Sequence, residues 1–518
     1  MKAYLMHPDR DFDPNATLPP TAVALREDLG LDVIFEAMGG KDELLLAVAR
    51  AALLTGLQGT KEIAYRQRIL ADCMAHPAIV RQIYAIAGEA IERERKIWGW
   101  TLKRHPEGLL HRSLEVLEIF LELLTQLRRI AERNVQRFRS EGFTRLFVML
   151  VEELDDEYLD GVRDHLARLK FPYGIRMSAQ LGEANQATDY VLQVPGARRS
   201  FLEKVGSWIE ELSAPRRASY VYEIAERDEA GFQALEAIRD RGVAIVAARL
   251  GQSADHVLNF FAMLRVELGF YVGCLNLRDR LTAKGVPTVV PDALPASESM
   301  LRARGLYDVS LGLSAAESVV GNDLKADHKR LVMVTGANRG GKTTFLRSRG
   351  QAQLMMQCGM FVAAQEFRAS LCSAVFTHFK REEDSQMRSG KLDEELSRMS
   401  AIVDHVRANG LVLLNESFAS TNEREGSEIA RQVVGALLEG GVEVCYVTHL
   451  FDLAEAFYRA NMQTALFLRA ERLSDGRRTF KLLEGAPLTT SYGADLYRRI
   501  FGMPVEDEDA GIRAATAG

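Results

Sequence analysis

The chain has 518 residues and a mass of 57.7 kDa, which at roughly 150 residues per domain predicts about three domains. Its 47% hydrophobic and 26% charged residues are ordinary for a globular chain, and 40 Gly with 14 Pro exclude a collagenous or low-complexity one. A formal net charge of -6, from 65 Lys and Arg against 71 Asp and Glu, excludes a wholly basic coat protein for nucleic acid but leaves room for a local basic stripe.

The first 30 residues mix Pro14, Pro19 and Pro20 with polar residues and read as an irregular lead-in. MKAYLMHPDRDFD has no signal-peptide core. No stretch reaches the ~18 apolar residues of a membrane helix, and the nearest, Leu44 to Leu57, is broken by Arg50 and Gly56. The five cysteines (Cys73, Cys274, Cys358, Cys372 and Cys445) are scattered and odd in number, which suits reduced thiols rather than a disulfide frame or a zinc site. The expectation is a cytoplasmic chain with no membrane association.

From residue 31 to about 140 the apolar spacing predicts helices, with breaks at Gly56 and Gly59. Leu117, Phe120, Leu121, Leu124 and Leu127 share one face of a long helix, a candidate spacer rod. Basic residues outnumber acidic ones over residues 91–145. There Arg129, Arg133 and Arg137 recur at four-residue steps, a candidate DNA-backbone stripe or a solvated face. Trp98 and Trp100 read as core packing. Residues 141–235 form a mixed insertion, in which IRMSAQL and DYVLQV suggest strands. Helical spacing returns over 236–298, and GVPTVVPDALPAS at residues 285–297 reads as a linker. From 299 to 505 apolar β-like runs alternate with helical ones, the pattern of a parallel α/β sheet. Residues 506–518 read as an acidic, mobile tail.

The strongest local signal lies in that last domain. Leu331 to Val334 is a buried-strand pattern leading into Gly336-Ala337-Asn338-Arg339-Gly340-Gly341-Lys342-Thr343, the G-x-x-x-x-G-K-[ST] phosphate loop. Its glycines let backbone N–H groups approach phosphates, and the following helix adds the positive end of its dipole. Lys342 would neutralise the β- and γ-phosphates and the Thr343 hydroxyl would ligate Mg²⁺. A second strand, Leu411 to Leu414, delivers Asn415 and Glu416, the latter suited to orienting or deprotonating water. A third, Val442 to Val447, delivers Thr448 and His449, a candidate γ-phosphate sensor or a satisfied polar residue.

TGANRGGKTTFLRS, LVLLNESFASTNEREGSEIA, VTHLFDLAE and LTTSYGADLYRRIFGMP, in this order, resemble the ATPase module of the MutS mismatch-repair family. SVVGNDL, CGMFVAA and AVFTHFKREEDSQMRSGKLDEE resemble further segments of it, and TGLQGTKEIAYRQRIL resembles its lever more weakly. The resemblance implies a multidomain fold: an all-α lever with a small mixed α/β clamp-like insertion, followed by an α/β P-loop, ABC-like ATPase domain. It implies ATP and Mg²⁺ at a composite site between two subunits of a homodimer. ATP would be held by Asn322, residues 336–343 and Thr344; Mg²⁺ by Thr343, Asn415 and Glu416, partly through water. Glu416 and His449 would be the catalytic pair. Ser389, Gly390 and Lys391 would reach across the dimer.

The departures shape further expectations. The chain reads as beginning at the lever, without the family's mismatch-reading wedge domain and connector, so duplex or branched DNA in repair or recombination is expected rather than a simple mismatch. The helix-turn-helix dimer element and the nuclease tail are also not recognised, so the nuclease-bearing paralogue is expected to match poorly. Asn415 stands where the family has aspartate, which predicts weak metal use and slow turnover. Two rival functions remain. One is an ATP-sensing DNA clamp that barely hydrolyses. The other is an ABC-superfamily ATPase of transport or chromosome structure, disfavoured by the absence of an LSGGQ signature. The sequence names no protein partner.

Overall fold

The structure, a computed structural model, describes residues 1–97, 105–171, 176–181, 187–193, 229–315, 319–381, 390–473 and 477–487. Trp98, Trp100, Ser389 and the 506–518 tail lie outside them. The chain divides into two compact units, one of residues 1–3, 78–139 and 143–265, the other of 4–77, 140–142 and 266–518.

The helical part opens with α1 (Ala22–Asp28), α2 (Leu31–Gly39), α3 (Glu43–Thr55) and α4 (Thr60–Ala75). The α3 helix starts where the Asp42 carboxylate accepts the N–H groups of Leu44 and Leu45, at 2.9 and 3.3 Å, and stops at Gly56, whose φ of 49° no β-carbon favours. Next come α5 (Pro77–Lys96), α6 (Pro106–Asn134), α7 (Glu141–Glu152) and α8 (Asp156–Leu169), then an antiparallel pair, β1 (Arg176–Leu181) and β2 (Ala187–Gln193). A single helix of 55 residues follows, α9 (Glu229–Ala283), which contributes to both units.

In the first unit α6 begins with Pro106, which has no N–H to leave unpaired, and buries Leu110, Leu114, Phe120, Leu121, Leu124 and Leu127 at three- and four-residue steps. At 29 residues it is ~44 Å long. Phe120 meets Phe261 of α9 at 5.4 Å between ring centroids. Arg112 and Glu94 form a buried ion pair. The expected arginine stripe is shorter than its spacing suggests. Helix α6 ends at Asn134, and the Arg137 N–H closes a three-residue turn onto the Asn134 carbonyl at 2.8 Å. Arg129 and Arg133 are therefore helical and Arg137 is not.

One window of α9, within Ala237–Ala283, is long and apolar enough to cross a membrane by length and composition, with a mean hydropathy of 1.4, which corrects the sequence reading. It is 61% buried inside the protein, as a core helix is.

The second unit is built on two sheets. The strands are β3 (Asp292–Leu294), β4 (Leu301–Leu306), β5 (Asn322–Lys325), β6 (Leu331–Thr335), β7 (Glu366–Ser370), β8 (Val375–Phe379), β9 (Leu411–Asn415), β10 (Glu443–Val447), β11 (Ala465–Arg472) and β12 (Arg478–Glu484). Besides α1 to α4 and the end of α9, its helices are α10 (Val309–Ser314), α11 (Lys342–Gln357), α12 (Lys391–His405), α13 (Glu423–Glu439) and α14 (Phe451–Arg459). Six strands lie in the order β12-β11-β6-β10-β9-β8, parallel except for the β12 edge. Unbroken apolar runs such as Leu331 to Val334 and Leu411 to Leu414 suit this sheet because helices cover both faces. On one face α13 and α14 bring Val434, Leu437, Leu453 and Phe457 onto Met333, Leu414 and Tyr446. On the other lies α11, where a β-carbon at Gly350 would stand 2.7 Å from side-chain methyls of Leu29 and Leu413, so a larger residue there would force those leucines to shift.

The second sheet has the order β3-β7-β4-β5. The segment expected to be a linker is part of it: β3 pairs in parallel with β7, and Val289 bridges Val362. The first 21 residues form neither helix nor strand, yet Leu5, Met6 and Phe12 are buried. They are strapped down by Glu267 of α9, whose carboxylate accepts the N–H groups of Leu5, Met6 and Phe12, the latter two at 3.3 Å. Arg66 completes the strap, donating to the Met6 carbonyl at 2.7 Å and to the Cys358 carbonyl at 3.2 Å.

Candidate nucleotide site

Parallel strands deliver their last residues to one edge of the six-stranded sheet, and β6, β9 and β10 are neighbours there in the order β6-β10-β9. Three sequence-distant segments are thus brought together. The Glu416 N–H donates to the Val447 carbonyl at 2.8 Å and the Thr448 N–H to the Val334 carbonyl at 3.1 Å.

The loop from β6 to α11 turns on Gly336, φ 115°, and Gly341, φ 88°, conformations that a side chain would strain. Arg339, between them, is also left-handed at φ 59°. Lys342 opens α11 and is 5% exposed. Its ammonium donates to the Gly336 and Ala337 carbonyls, both at 2.9 Å, and lies 3.3 Å from His449 Nε2. Burial pushes the Lys342 ammonium down to about 8, while the Glu416 charge pulls the other way.

His449 Nε2 also lies 3.1 Å from Glu416 Oε1. One ring nitrogen therefore faces a donor, Lys342, and an acceptor, Glu416. It accepts from the first when unprotonated and donates to the second when protonated, so ring tautomer and lysine position are coupled. Hydrogen bonding from His449 holds the Glu416 carboxyl below the usual range, against the opposing effect of burial. Glu416 itself is left-handed, φ 53°, as the chain leaves β9. Beside it the Thr343 hydroxyl donates to Asn415 Oδ1 at 3.0 Å.

A cleft of about 440 Å³ opens over this cluster. Its lining combines the phosphate-loop residues Asn338 to Thr344 and Glu416 with the apolar side chains of Leu311, Val319, Val320 and Phe480. The donor set fits Mg²⁺, which takes few protein oxygens and keeps several waters. The Thr343 hydroxyl and the Asn415 carbonyl oxygen are neutral ligands, and Glu416 is the carboxylate beside them.

The expected residues divide clearly. Lys342, Thr343, Asn415, Glu416 and His449 converge. Asn322 lines the cleft, but its amide is committed to β12: Oδ1 accepts the Leu482 N–H at 2.8 Å and Nδ2 donates to the Phe480 carbonyl at 3.2 Å. Gly390 precedes the first turn of α12, and neither it nor Lys391 lines the cleft. Arg129 and Arg133 belong to the first unit. The sequence reading missed Lys380 and Phe480. Lys380 follows β8, donates its N–H to the Asn415 carbonyl at 3.0 Å and adds positive charge near Glu416. Its signal was the basic pair Lys380-Arg381 directly after β8.

A model described as MutS2 N-terminal domain matches residues 58–284, and one described as MutS domain V matches residues 332–506. Endonuclease MutS2 of Thermus thermophilus is 33% identical over 189 residues, 36% of this chain and 25% of that protein. DNA mismatch repair protein MutS of a Thermotoga species is 30% identical over 190 residues, 36% of this chain and 24% of that protein. Endonuclease MutS2 of Lacticaseibacillus paracasei is 29% identical over 287 residues, 52% of this chain and 35% of that protein. The chain thus spans between a quarter and about a third of the length of these relatives. The expectation that the nuclease-bearing paralogue would match poorly is overturned, because it is the MutS2 model that matches the helical half. One model of the group thus matches the helical half and another the sheet-bearing half, so the chain is similar to MutS-family proteins over both.

Proposed function

We propose that the chain binds ATP and Mg²⁺ in this cleft, hydrolyses the ATP, and uses the exchange to open and close a helical clamp on DNA in repair or recombination. The observation that carries the reading is the meeting of Lys342, Thr343, Glu416 and His449 at adjoining strand ends. Lys342 exchanges its two loop carbonyls for phosphate oxygens, and α11 points its positive end at them. Thr343 and Asn415 would hold Mg²⁺, which would supply positive charge to offset the negative charge of the phosphates. Glu416, kept ionised by its neighbours, accepts a proton from the attacking water. His449, released from Lys342, reports the terminal phosphate by a hydrogen bond. Ser389, Gly390 and Lys391 of a second copy complete the site, and Arg129 and Arg133 contact DNA phosphates.

One observation favours a second reading, an ATP-sensing clamp with little hydrolysis. Asn415 puts a neutral amide where a second carboxylate would strengthen metal binding. Steady-state hydrolysis under saturating Mg-ATP, with DNA binding measured with and without ATP, separates the two. ATP-dependent DNA binding with measurable turnover supports the first reading, and ATP-dependent binding without turnover supports the second. Neither ATP binding nor DNA binding would overturn both.

A further inference from the structure

Next to Glu416, but shut away from solvent, lie two polar side chains that the proposed chemistry does not use, His378 of β8 and Ser417 after β9. We infer that they are positioning residues: Ser417 fixes the direction of Glu416, and His378 holds Ser417 in place. The inference rests on the proposed role of Glu416 in taking a proton from water and adds what keeps that carboxylate aimed.

Strand β9 ends at Asn415, and the chain leaves the sheet through Glu416, Ser417 and Phe418. Glu416 and Phe418 are both left-handed, at φ 53° and 63°, a conformation that persists in such residues only where surrounding structure imposes it. Ser417, between them, carries the restraint. It is fully buried, and its hydroxyl donates to the His378 carbonyl at 2.8 Å and lies 2.7 Å from His378 Nδ1. Its own carbonyl accepts from the Tyr446 hydroxyl of β10 at 2.6 Å. Both strands that flank β9 therefore grip this one residue. Phe418, also fully buried, stacks on the His378 ring with 5.6 Å between centroids and 24° between planes.

The state of the ring follows from its partners. Burial, with the nearby Arg398 charge, pushes the His378 imidazole down to about 4, so it is neutral at physiological pH. Nε2 lies 3.0 Å from the Glu395 carbonyl, which can only accept, so Nε2 carries the proton and Nδ1 is left as an acceptor. The Ser417 hydroxyl cannot turn away from Nδ1 and the His378 carbonyl without leaving a buried acceptor unpaired. Glu395 belongs to α12, and its carboxylate accepts from the Ser420 hydroxyl at 2.8 Å, so α12 is tied to the same turn at a second point. None of His378, Ser417 and Glu395 lines the cleft, so what they supply is the aim of Glu416 and not a grip on the ligand.

Turnover and ATP affinity of the full chain, with the thermal melt as control, test this. Ser417→Ala should lower turnover by roughly 10–10²-fold, the cost of a misaimed group, and leave ATP affinity within about threefold. His378→Gln, whose amide N–H can stand where Nε2 stands, keeps the Glu395 contact, deprives Ser417 of its acceptor and should lose as much. His378→Asn, whose amide oxygen can stand where Nδ1 stands, should recover turnover about tenfold over His378→Gln. In a Glu416→Gln background, followed in single turnovers, Ser417→Ala should cost nothing more, because the group it aims is gone. Where Ser417→Ala melts early, Tyr446→Phe, which frees the Ser417 carbonyl and keeps the ring, carries the same expectation. Wild-type turnover in Ser417→Ala overturns the inference, as does a matching loss of ATP affinity or a further loss in the Glu416→Gln background. Equal turnover in His378→Gln and His378→Asn would reduce the ring to packing and overturn its part. A wild type that binds ATP without turning it over sinks this inference alone. One that binds no ATP sinks the nucleotide reading and this with it.

Discussion

Two carboxylates in the second unit, Glu416 at the sheet edge and Glu267 under the N-terminal strap, are treated in opposite ways. Glu416 faces His449 and the charges of Lys342 and Lys380, and its carboxyl is held down. Glu267 is fully buried among the N–H groups of Leu5, Met6 and Phe12; burial pushes its carboxyl up to about 7, and those N–H groups only partly offset it. At Glu416 the hydrogen bond from His449 and the nearby lysines offset the cost of burial, whereas at Glu267 three backbone N–H groups do not. The first arrangement suits proton transfer, and the second suits anchoring a strand-less segment.

The comparison can be broken in several places. The largest expected effect is at Glu416. Glu416→Gln should lower turnover by roughly 10²–10⁴ while ATP affinity holds, because an amide cannot accept the proton of water. Equal losses in turnover and affinity would make Glu416 a binding group. Lys342→Ala should weaken ATP by about a hundredfold, from the loss of charged hydrogen bonds worth ~3 kcal/mol, with the thermal melt unchanged. Retained affinity would mean that the loop is not the phosphate site.

Glu267 offers the opposite experiment, read as stability. Its folded value, about 7, lies above the ordinary 4.5, so the native state holds an extra proton between those values. Its contribution is therefore complete at low pH and is lost as pH rises from about 4.5 to 7, by up to ~3 kcal/mol. Urea melts of wild type and Glu267→Gln, which stays neutral throughout, should lie closest at low pH and separate as pH rises through that window, wild type falling. Parallel curves would show that this carboxyl stays ionised. Asn415→Asp places a second carboxylate beside Glu416 and should raise turnover, or lower the Mg²⁺ needed, by a few-fold. A loss of turnover would mean that the site depends on the amide. Last, replacing Arg129 and Arg133 by Gln should make the salt dependence of DNA binding shallower by about one unit of slope each, read by anisotropy at several salt concentrations.

What the sequence made legible follows from distance along the chain. The phosphate loop, its strand and its helix occupy consecutive residues, so their apolar run, glycines and lysine could be read together. Glu416 and His449 were legible because each follows an apolar strand, and β1 and β2 because alternation is local. Asn322 was not, since its partners Phe480 and Leu482 are about 160 residues away and an asparagine beside a nucleotide motif suggests a ligand. The same holds for the strap, where Leu5 and Phe12 meet Glu267 across more than 250 residues. The short strand Asp292–Leu294 was hidden in a proline-rich stretch because its pairing with β7 lies outside any local window.

The position of β6 between β10 and β11 sets a timetable for synthesis. The strand carrying the phosphate loop is made first, and both strands that enclose it, with the Phe480 wall, emerge from the ribosome later. At ~5–20 residues per second, the interval from Thr335 to Glu443 is on the order of ten seconds. Until β10 is made the loop exists without His449 and Phe480, and the two edges of β6 are unpaired. A nascent chain therefore gains no stabilisation from ligand until its sheet is closed, so tight nucleotide capture becomes a mark of completed folding.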